Sequence, residues 1–356
     1  MKIPTAVTAA LFLTMALHPA PASAVTAAEV AAAAAAQHIV PRYQSLRRST
    51  RALAEAAGEQ CHAAPEALKA AYHAVMDDWM RIQHIRFGPI QTGTRAARLQ
   101  YWPDRKGRGQ RQLAALLRDA DPRRLEPAAF AATSVAVQGL PALELLLFQP
   151  RRKGGDDAYR CQVVAAIGRN LAELAATLAD EWTTGPRPFR QSLERPSPED
   201  VRFHSPDEVI AALLTDMHTS LRVIIDQKLG RVLDAGQVQP KRAESWRSRR
   251  SLRNIRLNLE SLQALFDGEP GPAFNALLLD APDGAGVADQ VGYVIKALLL
   301  QIDALDKPLY ETASDAQGAV ALARLRGSLE TMDAILLENV AVTLDVPLGF
   351  NALDGD

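Results

Sequence analysis

Apolar residues recur at helical spacing along most of the chain, and this periodicity limits the possible folds more than any other feature. Between Glu66 and Arg86 one stripe of the sequence carries Tyr72, Val75, Met76, Trp79, Ile82 and Gln83. Such spacing is typical of an amphipathic α-helix that buries one face. Aromatic residues make up only 5% of the chain, alanine and leucine dominate, and β-branched runs are short. The sequence therefore predicts an all-α protein built from helices packed on helices.

The chain divides at a segment rich in proline, serine and charge between Gly185 and Pro206. About four long helices are predicted on each side of it, so we expect two four-helix-bundle-like lobes packed together. The predicted boundaries are an N-terminal lobe at 25–185, a linker or long loop at 186–206 and a C-terminal lobe at 207–356. Ser205 is followed by a proline and, three residues on, by Glu208, which predicts a capped helix start.

Residues 1–24 are typical of a secretory signal peptide. Lys2 supplies the positive start, 6–17 is the apolar core, and 22–24 is a small-residue cleavage site. No later segment is read as a stable membrane span, so the mature chain is expected to be periplasmic. The formal net charge is −1. A nearly balanced charge argues against nucleic acid as a partner, because nucleic-acid binders are usually basic.

Two cysteines remain in the mature chain, Cys61 and Cys161. In an oxidising compartment the first interpretation is one disulfide between them. Two separate buried thiols are the alternative. A bridge closing a loop of this length stabilises a chain by roughly 4–5 kcal/mol in the chain-entropy description.

An unusual apolar segment runs Gly-Leu-Pro-Ala-Leu-Glu from Gly139 to Glu144, inside a helix predicted at 128–148. Pro141 and Glu144 lie nearly one helical turn apart and therefore on one face. A proline inside a helix removes a backbone donor, and a buried glutamate is costly unless something uses it. Glu144 is either a ligand-binding carboxylate or the partner of an arginine at a helix junction.

Three further groups of charged residues are candidates for binding. Asp104, Arg105 and Lys106 follow Trp102–Pro103 and offer either a ligand site or a solvated turn. Arg249, Arg253 and Arg256 are expected on one helical stripe, with Arg250 one step round, and they bind either an anion or acids on neighbouring helices. At the C-terminus, Asp354 and Asp356 offer oxygen ligands that suit a hard cation. No pair of histidines has the spacing of His-Glu-x-x-His. We single out only His84, because it is predicted on the same helix as Trp79 and Arg86.

Five ordered blocks of this sequence resemble the imelysin-like family. They are Trp79 with Arg86-Phe87-Gly88-Pro89; residues 99–106; Gly139 to Glu144; residues 248–255; and residues 348–356. The family's central motif is Gly-x-His-x-x-Glu. Here its histidine position falls on Pro141 and its glutamate on Glu144. The chain is similar to the branch of the family that lacks the histidine.

The resemblance implies an exported, two-lobed helical protein of bacterial iron acquisition with a site between the lobes. It leads us to expect iron or another divalent metal, bound directly or as a small anionic chelate, and membrane components of iron uptake as partners. The expected metal ligands are Glu144, Asp104 and Asp354. The expected ligand-binding residues are Gly139, Pro141, Glu144, Arg86, Trp102, Asp104, Arg105, Lys106, Arg250 and Asn254.

Two other functions remain open from the sequence. One member of the family is described as a metallopeptidase, but proline cannot replace the metal-binding histidine of the motif. The other alternative is a non-catalytic periplasmic adaptor that binds a protein partner through the surface between the lobes.

Overall fold

The computed structural model describes residues 24–59, 61, 65–150, 157–233, 238–268 and 271–347. Within these ranges every regular element is helical, which confirms the all-α prediction. All but the last residue of the expected signal peptide, and the C-terminal Asp354 and Asp356, lie outside the described residues.

The N-terminal lobe is built on three long helices. The helix α1 runs through residues 27–59, with a capping box between Thr26 and Glu29 at its start. The other helices of this lobe are α2 (Pro65–Ile82), α3 (Arg95–Leu99), α4 (Arg108–Asp119), α5 (Pro127–Ala131), α6 (Leu140–Phe148) and α7 (Asp157–Thr183). Both α2 and α7 pack along α1, and α6 packs against α2, α4 and α7.

The C-terminal lobe contains four long helices joined by short ones. Its elements are α9 (206–233), α10 (Ser251–Asp267), α11 (Phe274–Asp280), α12 (Gly284–Asp303), α13 (Leu309–Thr312) and α14 (316–343), and the short helix α8 (Arg190–Glu194) lies in the predicted linker before them. The helix α9 begins as predicted, because the Ser205 hydroxyl accepts a hydrogen bond from the Glu208 N–H and Pro206 occupies the first turn. The lobes join where α2 packs on α10 and where the first turns of α1 pack on α9.

Three of the long helices contain a π-helical stretch in the part of the chain that the structure describes. These are Ala34–Ile39 in α1, Val223–Gly230 in α9 and Ile335–Val340 in α14. Such insertions are rare and occur frequently at functional sites. In α1 the stretch ends just before Pro41, the residue whose missing N–H cannot continue the regular ladder.

The predicted linker at 186–206 is not an extended spacer. Phe189 and Phe203 pack around Phe87, and Phe189 also contacts Trp182 edge to face, so this segment is held by aromatic contacts to the N-terminal lobe. Buried residues from both lobes form one continuous apolar core. The lobe boundaries themselves stay a prediction.

A disulfide joins Cys61 to Cys161, which confirms that pairing. It ties the chain just after α1 to the beginning of α7, the two helices that pack most extensively on each other. The two cysteines are separated by 100 positions in the sequence, and this sets the length of the loop that the bridge closes.

By length and composition alone, α12 is apolar enough to cross a membrane, and sequence reading did not single it out. This is weak evidence, since core helices of soluble proteins pass the same test. Val291, Ile295 and Leu298 of α12 are buried in the core, while 28% of the apolar window as a whole is buried and Tyr293 and Leu300 are exposed.

Candidate functional site

The segment from Gly139 to Glu144 begins a helix instead of lying inside one. The prediction of one helix over 128–148 was wrong, because α5 ends at Ala131, a 3₁₀ turn covers Val135–Val137, and α6 begins at Leu140. Pro141 therefore occupies the first turn of α6. A first-turn N–H has no acceptor within the helix, so this proline costs no helical hydrogen bond and makes no kink.

Gly139 allows two parts of the chain to approach closely at the start of α6. A Cβ at this position would lie 2.5 Å from the carbonyl oxygens of both Arg98 and Leu99. Real Cβ atoms do not make such contacts with backbone oxygens, so only glycine fits without moving the chain. Gly139 thus allows the end of α3 to lie directly against the start of α6.

Glu144 lies buried on α6 and accepts two hydrogen bonds from one residue of the other lobe. The Ser248 N–H donates to Oε1 at 2.9 Å and the Ser248 hydroxyl at 2.8 Å. Burial raises the pKa of Glu144, while these two bonds and the charge of Arg247 oppose that rise. Glu144 therefore joins the lobes, and its contacts are with serine rather than with a paired arginine.

The partner segment, residues 243–250, is a strained turn between α9 and α10. Ser245 and Arg249 have φ values of 51° and 61°, in the left-handed region that non-glycine residues rarely occupy. The turn nevertheless buries the side chains of Glu244, Ser248 and Arg250. Strain of this kind persists where the surrounding contacts hold it, and it clusters at functional sites.

A buried ion pair lies at the centre of the contact between the lobes. Lys228, from the π-helical stretch of α9, is 2.9 Å from the Glu244 carboxylate, and each side chain is 2% exposed. Lys228 also donates to Asn258 at 2.7 Å, and Glu244 accepts from Asn254 and Gln100 at 2.7 and 2.8 Å. Burial lowers the pKa of Lys228, and Glu244 counters that effect.

The predicted Arg250 and Asn254 both belong to this buried network. The Arg250 Nε donates to the Asn254 side chain at 2.8 Å, and its guanidinium binds Asp77 at 2.5 Å and His73 at 2.9 Å on α2. Arg253 binds the same Asp77. The predicted single arginine stripe was wrong at one end, since α10 begins at Ser251 and Arg249 precedes it.

The three arginines of that expected stripe pair with acidic side chains, which is the second of the two alternatives drawn from the sequence. Arg249 binds Glu311 at 2.6 Å, Arg253 binds Asp77, and Arg256 binds Asp303 and Glu260. These pairs are partly exposed, so each contributes little stability.

A cleft of about 590 Å³ opens between the lobes above the buried ion pair. The wall from the N-terminal lobe includes Trp79, Arg86, Gln100, Trp102 and Arg105; the wall from the other lobe includes Val223, Gln227, Lys228 and Glu244. The Trp79 indole N–H donates to Gln100 at 2.6 Å, which fixes one wall. Arg86 and Arg105 are exposed, so their charges face solvent at the cleft.

Two of the predicted residues next to the cleft have other roles in the structure. The Asp104 carboxylate accepts from the Arg108 and Gly109 N–H groups at 2.9 and 2.8 Å and so caps α4. Lys106 is exposed and its carbonyl accepts from Arg111. The predicted metal ligands Glu144 and Asp104 thus each bind protein N–H groups, and Asp354 lies outside the described residues.

Metal-ligand clusters are absent from the described part of the chain: no three His, Cys, Asp or Glu side chains lie together there in a way that could hold a metal. His84, singled out from the sequence, contacts another histidine instead. Its Nε2 lies 2.9 Å from Nε2 of His38, both rings are buried, and burial lowers the pKa of His84 to about 3.

Sequence reasoning missed Lys228 and Glu244. A signal for Lys228 was available, because it occupies a buried position among Leu221, Ile224, Ile225, Leu229 and Val232 of one apolar helix. A lysine in a protein is almost never fully buried unless its charge is paired. No comparable pattern marks Glu244, which lies in an irregular turn and is positioned only by tertiary contacts.

The fold and this site define a class of protein: an all-helical chain of two packed lobes with a charged cleft between them. The family model described as imelysin, peptidase M75, matches residues 39–335. The chain therefore belongs to the imelysin family.

Two solved structures share the fold. An imelysin-like protein from Psychrobacter arcticum 273-4 superposes with a TM-score of 0.76 at 18% identity, covering 92% of this chain and 100% of that one. A putative iron-regulated protein A precursor from Parabacteroides distasonis ATCC 8503 gives 0.74 at 15% identity, covering 89% and 96%. No curated protein matches the sequence. At these identities the likeness shows the fold alone.

Proposed function

We propose that this protein binds a small anionic metal chelate, with iron as the metal, in the cleft between its lobes. The observation that carries the proposal is the charge of that cleft. Three cationic side chains line it, Arg86, Arg105 and Lys228, and Glu244 is the one carboxylate among its lining residues in the described part of the chain. Because Lys228 and Glu244 neutralise each other, the two arginines leave the cleft positive toward a ligand.

The walls of the cleft suit an organic chelate better than a bare ion. Trp79 and Trp102 present flat apolar surface, while Gln100 and Gln227 add polar groups. Ligand pockets of proteins commonly combine apolar walls with a few polar groups in this way. Direct metal binding by Glu144 and Asp104 is less favoured, because each carboxylate already accepts hydrogen bonds from the protein.

The iron assignment rests on the family and on the solved structure of a putative iron-regulated protein A precursor. The same precursor supports an exported protein, and the expected signal peptide extends this to the periplasm. Iron-uptake components of the membrane are the partners that this location favours. The peptidase chemistry of the family description gains no support here, because Pro141 stands at the histidine position of the motif.

A thermal-shift series tests the proposal. The ligands are ferric citrate, citrate alone, Fe(III), Fe(II), Zn(II), Ca(II) and haem, each at several concentrations. A ligand that binds only the folded protein stabilises it by about 2.7 kcal/mol at a hundred times its Kd. We expect ferric citrate to raise the melting temperature more than free Fe(III) or citrate does.

Cleft variants locate the binding. Arg86→Gln and Trp102→Ala should each reduce the shift with ferric citrate, whereas Arg187→Gln, an exposed arginine away from the cleft, should leave it unchanged. Equal shifts in the cleft variants and the wild type would place binding elsewhere. A folded wild type that responds to none of these ligands would overturn the proposal.

A further inference from the structure

Three arginines lie on three neighbouring elements near one end of the cleft. Arg105 lies in the loop before α4 and lines the cleft beside Gln227 of α9. Arg231 lies four residues after Gln227, on the last turn of the same helix. Arg242 ends the 3₁₀ turn Pro240–Arg242, which is fixed to α9 by a hydrogen bond of 2.7 Å from the Gln239 N–H to the Val232 carbonyl.

No carboxylate of the described residues forms an ion pair with any of these three arginines. In the C-terminal lobe, by contrast, Arg222, Arg249, Arg253 and Arg256 all have acidic partners within 4 Å. The Arg231 Nε is fully buried and donates no hydrogen bond. Burial lowers the pKa of Arg231, and the charges of Arg105 and Arg242 lower it further. Arg105 and Arg242 therefore lie near enough to Arg231 for their charges to act on it, and no acid among the described residues pairs with any of the three.

A cluster of guanidinium groups without acidic partners is unfavourable by itself and favourable around an anion. Arginine presents N–H groups in a planar fork that fits carboxylate and phosphate oxygens two at a time. Neighbouring positive charges also attract anions from solution and raise their local concentration. A buried donor without a partner, such as the Arg231 Nε, gains a full hydrogen bond when an acceptor arrives.

We infer that Arg105, Arg231 and Arg242 form an oxyanion-binding site at the edge of the cleft. The site takes one compact oxyanion group with two or more oxygens available to the arginines. That group belongs either to a free ion such as phosphate or to a carboxylate arm of a chelate lying in the cleft. The inference holds for either source, so it does not depend on iron being the metal of the proposed function.

Isothermal titration calorimetry at constant ionic strength, in a chloride buffer, tests the site with inorganic phosphate, citrate and ferric citrate. The variants are Arg231→Gln and Arg242→Gln. The matched control is Arg324→Gln, an exposed arginine of the same lobe away from the cleft. Each cluster variant should weaken binding of the preferred oxyanion about tenfold, as expected for one charge-assisted hydrogen bond. The control should bind like the wild type.

The three ligands separate the two sources of the oxyanion. Phosphate binding that depends on Arg231 identifies a free-ion site, and binding of citrate or ferric citrate alone identifies a chelate arm. Oxyanion binding with no response to ferric citrate would support this inference and contradict the proposed function. Ferric citrate binding that is unchanged in both cluster variants would support the proposed function and contradict this inference.

Melting temperatures in chloride alone distinguish a binding role from a structural one. Removing one of several uncompensated like charges should leave the melting temperature of Arg231→Gln equal to or above that of the wild type. A clear decrease in the melting temperature of Arg231→Gln would show that Arg231 stabilises the fold. The exposed Arg242 then decides the question. If Arg242→Gln also bound oxyanions like the wild type, the inference would be overturned. A wild type that binds none of the three ligands would overturn it outright.

Discussion

Buried carboxylates among the described residues are stabilised in different ways, and Asp216 is bound by backbone N–H groups. Its carboxylate accepts hydrogen bonds from the backbone N–H groups of Arg86, at 2.7 Å, and of Phe87. Burial nevertheless dominates and raises the pKa of Asp216 to about 7. Glu144 and Glu244, by contrast, accept from side-chain donors of Ser248 and of Lys228, Asn254 and Gln100. The contact between α9 and the end of α2 is therefore sensitive to pH.

The Asp216 pKa predicts that stability falls as pH rises through the weakly acidic range. In the unfolded chain this carboxyl ionises near pH 4, so between about pH 4 and pH 7 the folded state binds more protons. Asp216 should lower the free energy of unfolding by up to about 1.4 kcal/mol per pH unit there, and by nothing further above pH 7. Urea unfolding of wild type and Asp216→Asn from pH 4 to 8 measures the difference.

Asp216→Asn keeps an oxygen acceptor for the backbone N–H groups and removes the ionisation. Its stability should therefore exceed that of the wild type increasingly from pH 4 to pH 7. Asp289→Asn, an exposed aspartate on α12, is the control and should follow the wild type. Parallel pH profiles for Asp216→Asn and the wild type would refute the assigned pKa.

At the scale of single elements, the start of α6 depends on one glycine. Gly139→Ala would place a Cβ 2.5 Å from two backbone oxygens, which cannot rotate away as a side chain could. Overpacking of this kind costs about 1–3 kcal/mol. Gly292→Ala in α12, where a Cβ would meet nothing within 4 Å, should instead stabilise by roughly 0.5–1 kcal/mol. Denaturant midpoints compare the two, and equal effects would show that the close approach relaxes freely.

Elements with strong periodicity or capping residues were predictable from the sequence alone. The stripe on α2 and the Ser205–Pro206 start of α9 are local patterns, and the structure confirms both, except that α2 ends at Ile82 and leaves Gln83 outside the helix. The segment 128–148 was not predictable in this way. Its apolar letters fit one helix, but contacts of Gly139 with α3 and of Gln138 with Arg98 stabilise a break. Hydrophobic periodicity predicts which face of a helix is buried. It does not predict where tertiary contacts interrupt the helix.

At the scale of the whole molecule, the Lys228–Glu244 pair connects the two lobes through Gln100. Lys228→Met should destabilise the protein by about 3–5 kcal/mol, because it leaves the Glu244 charge buried without its cation. Adding Glu244→Gln removes that charge and should restore a large part of the loss. Urea unfolding of both variants checks this. If the double variant were no more stable than Lys228→Met alone, the cost would come from packing and not from charge.

The sequence by itself determined the helical class and the disulfide, because these follow from composition, periodicity and cysteine count. It also placed Glu144, Arg250, Asn254, Trp102 and Arg105 in blocks that the fold brings to one region. The tertiary structure alone decided how these residues are used. Glu144 bonds to Ser248, Asp104 caps α4, and Lys228 meets Glu244, since hydrogen-bond partners and burial depend on neighbours far away in the chain.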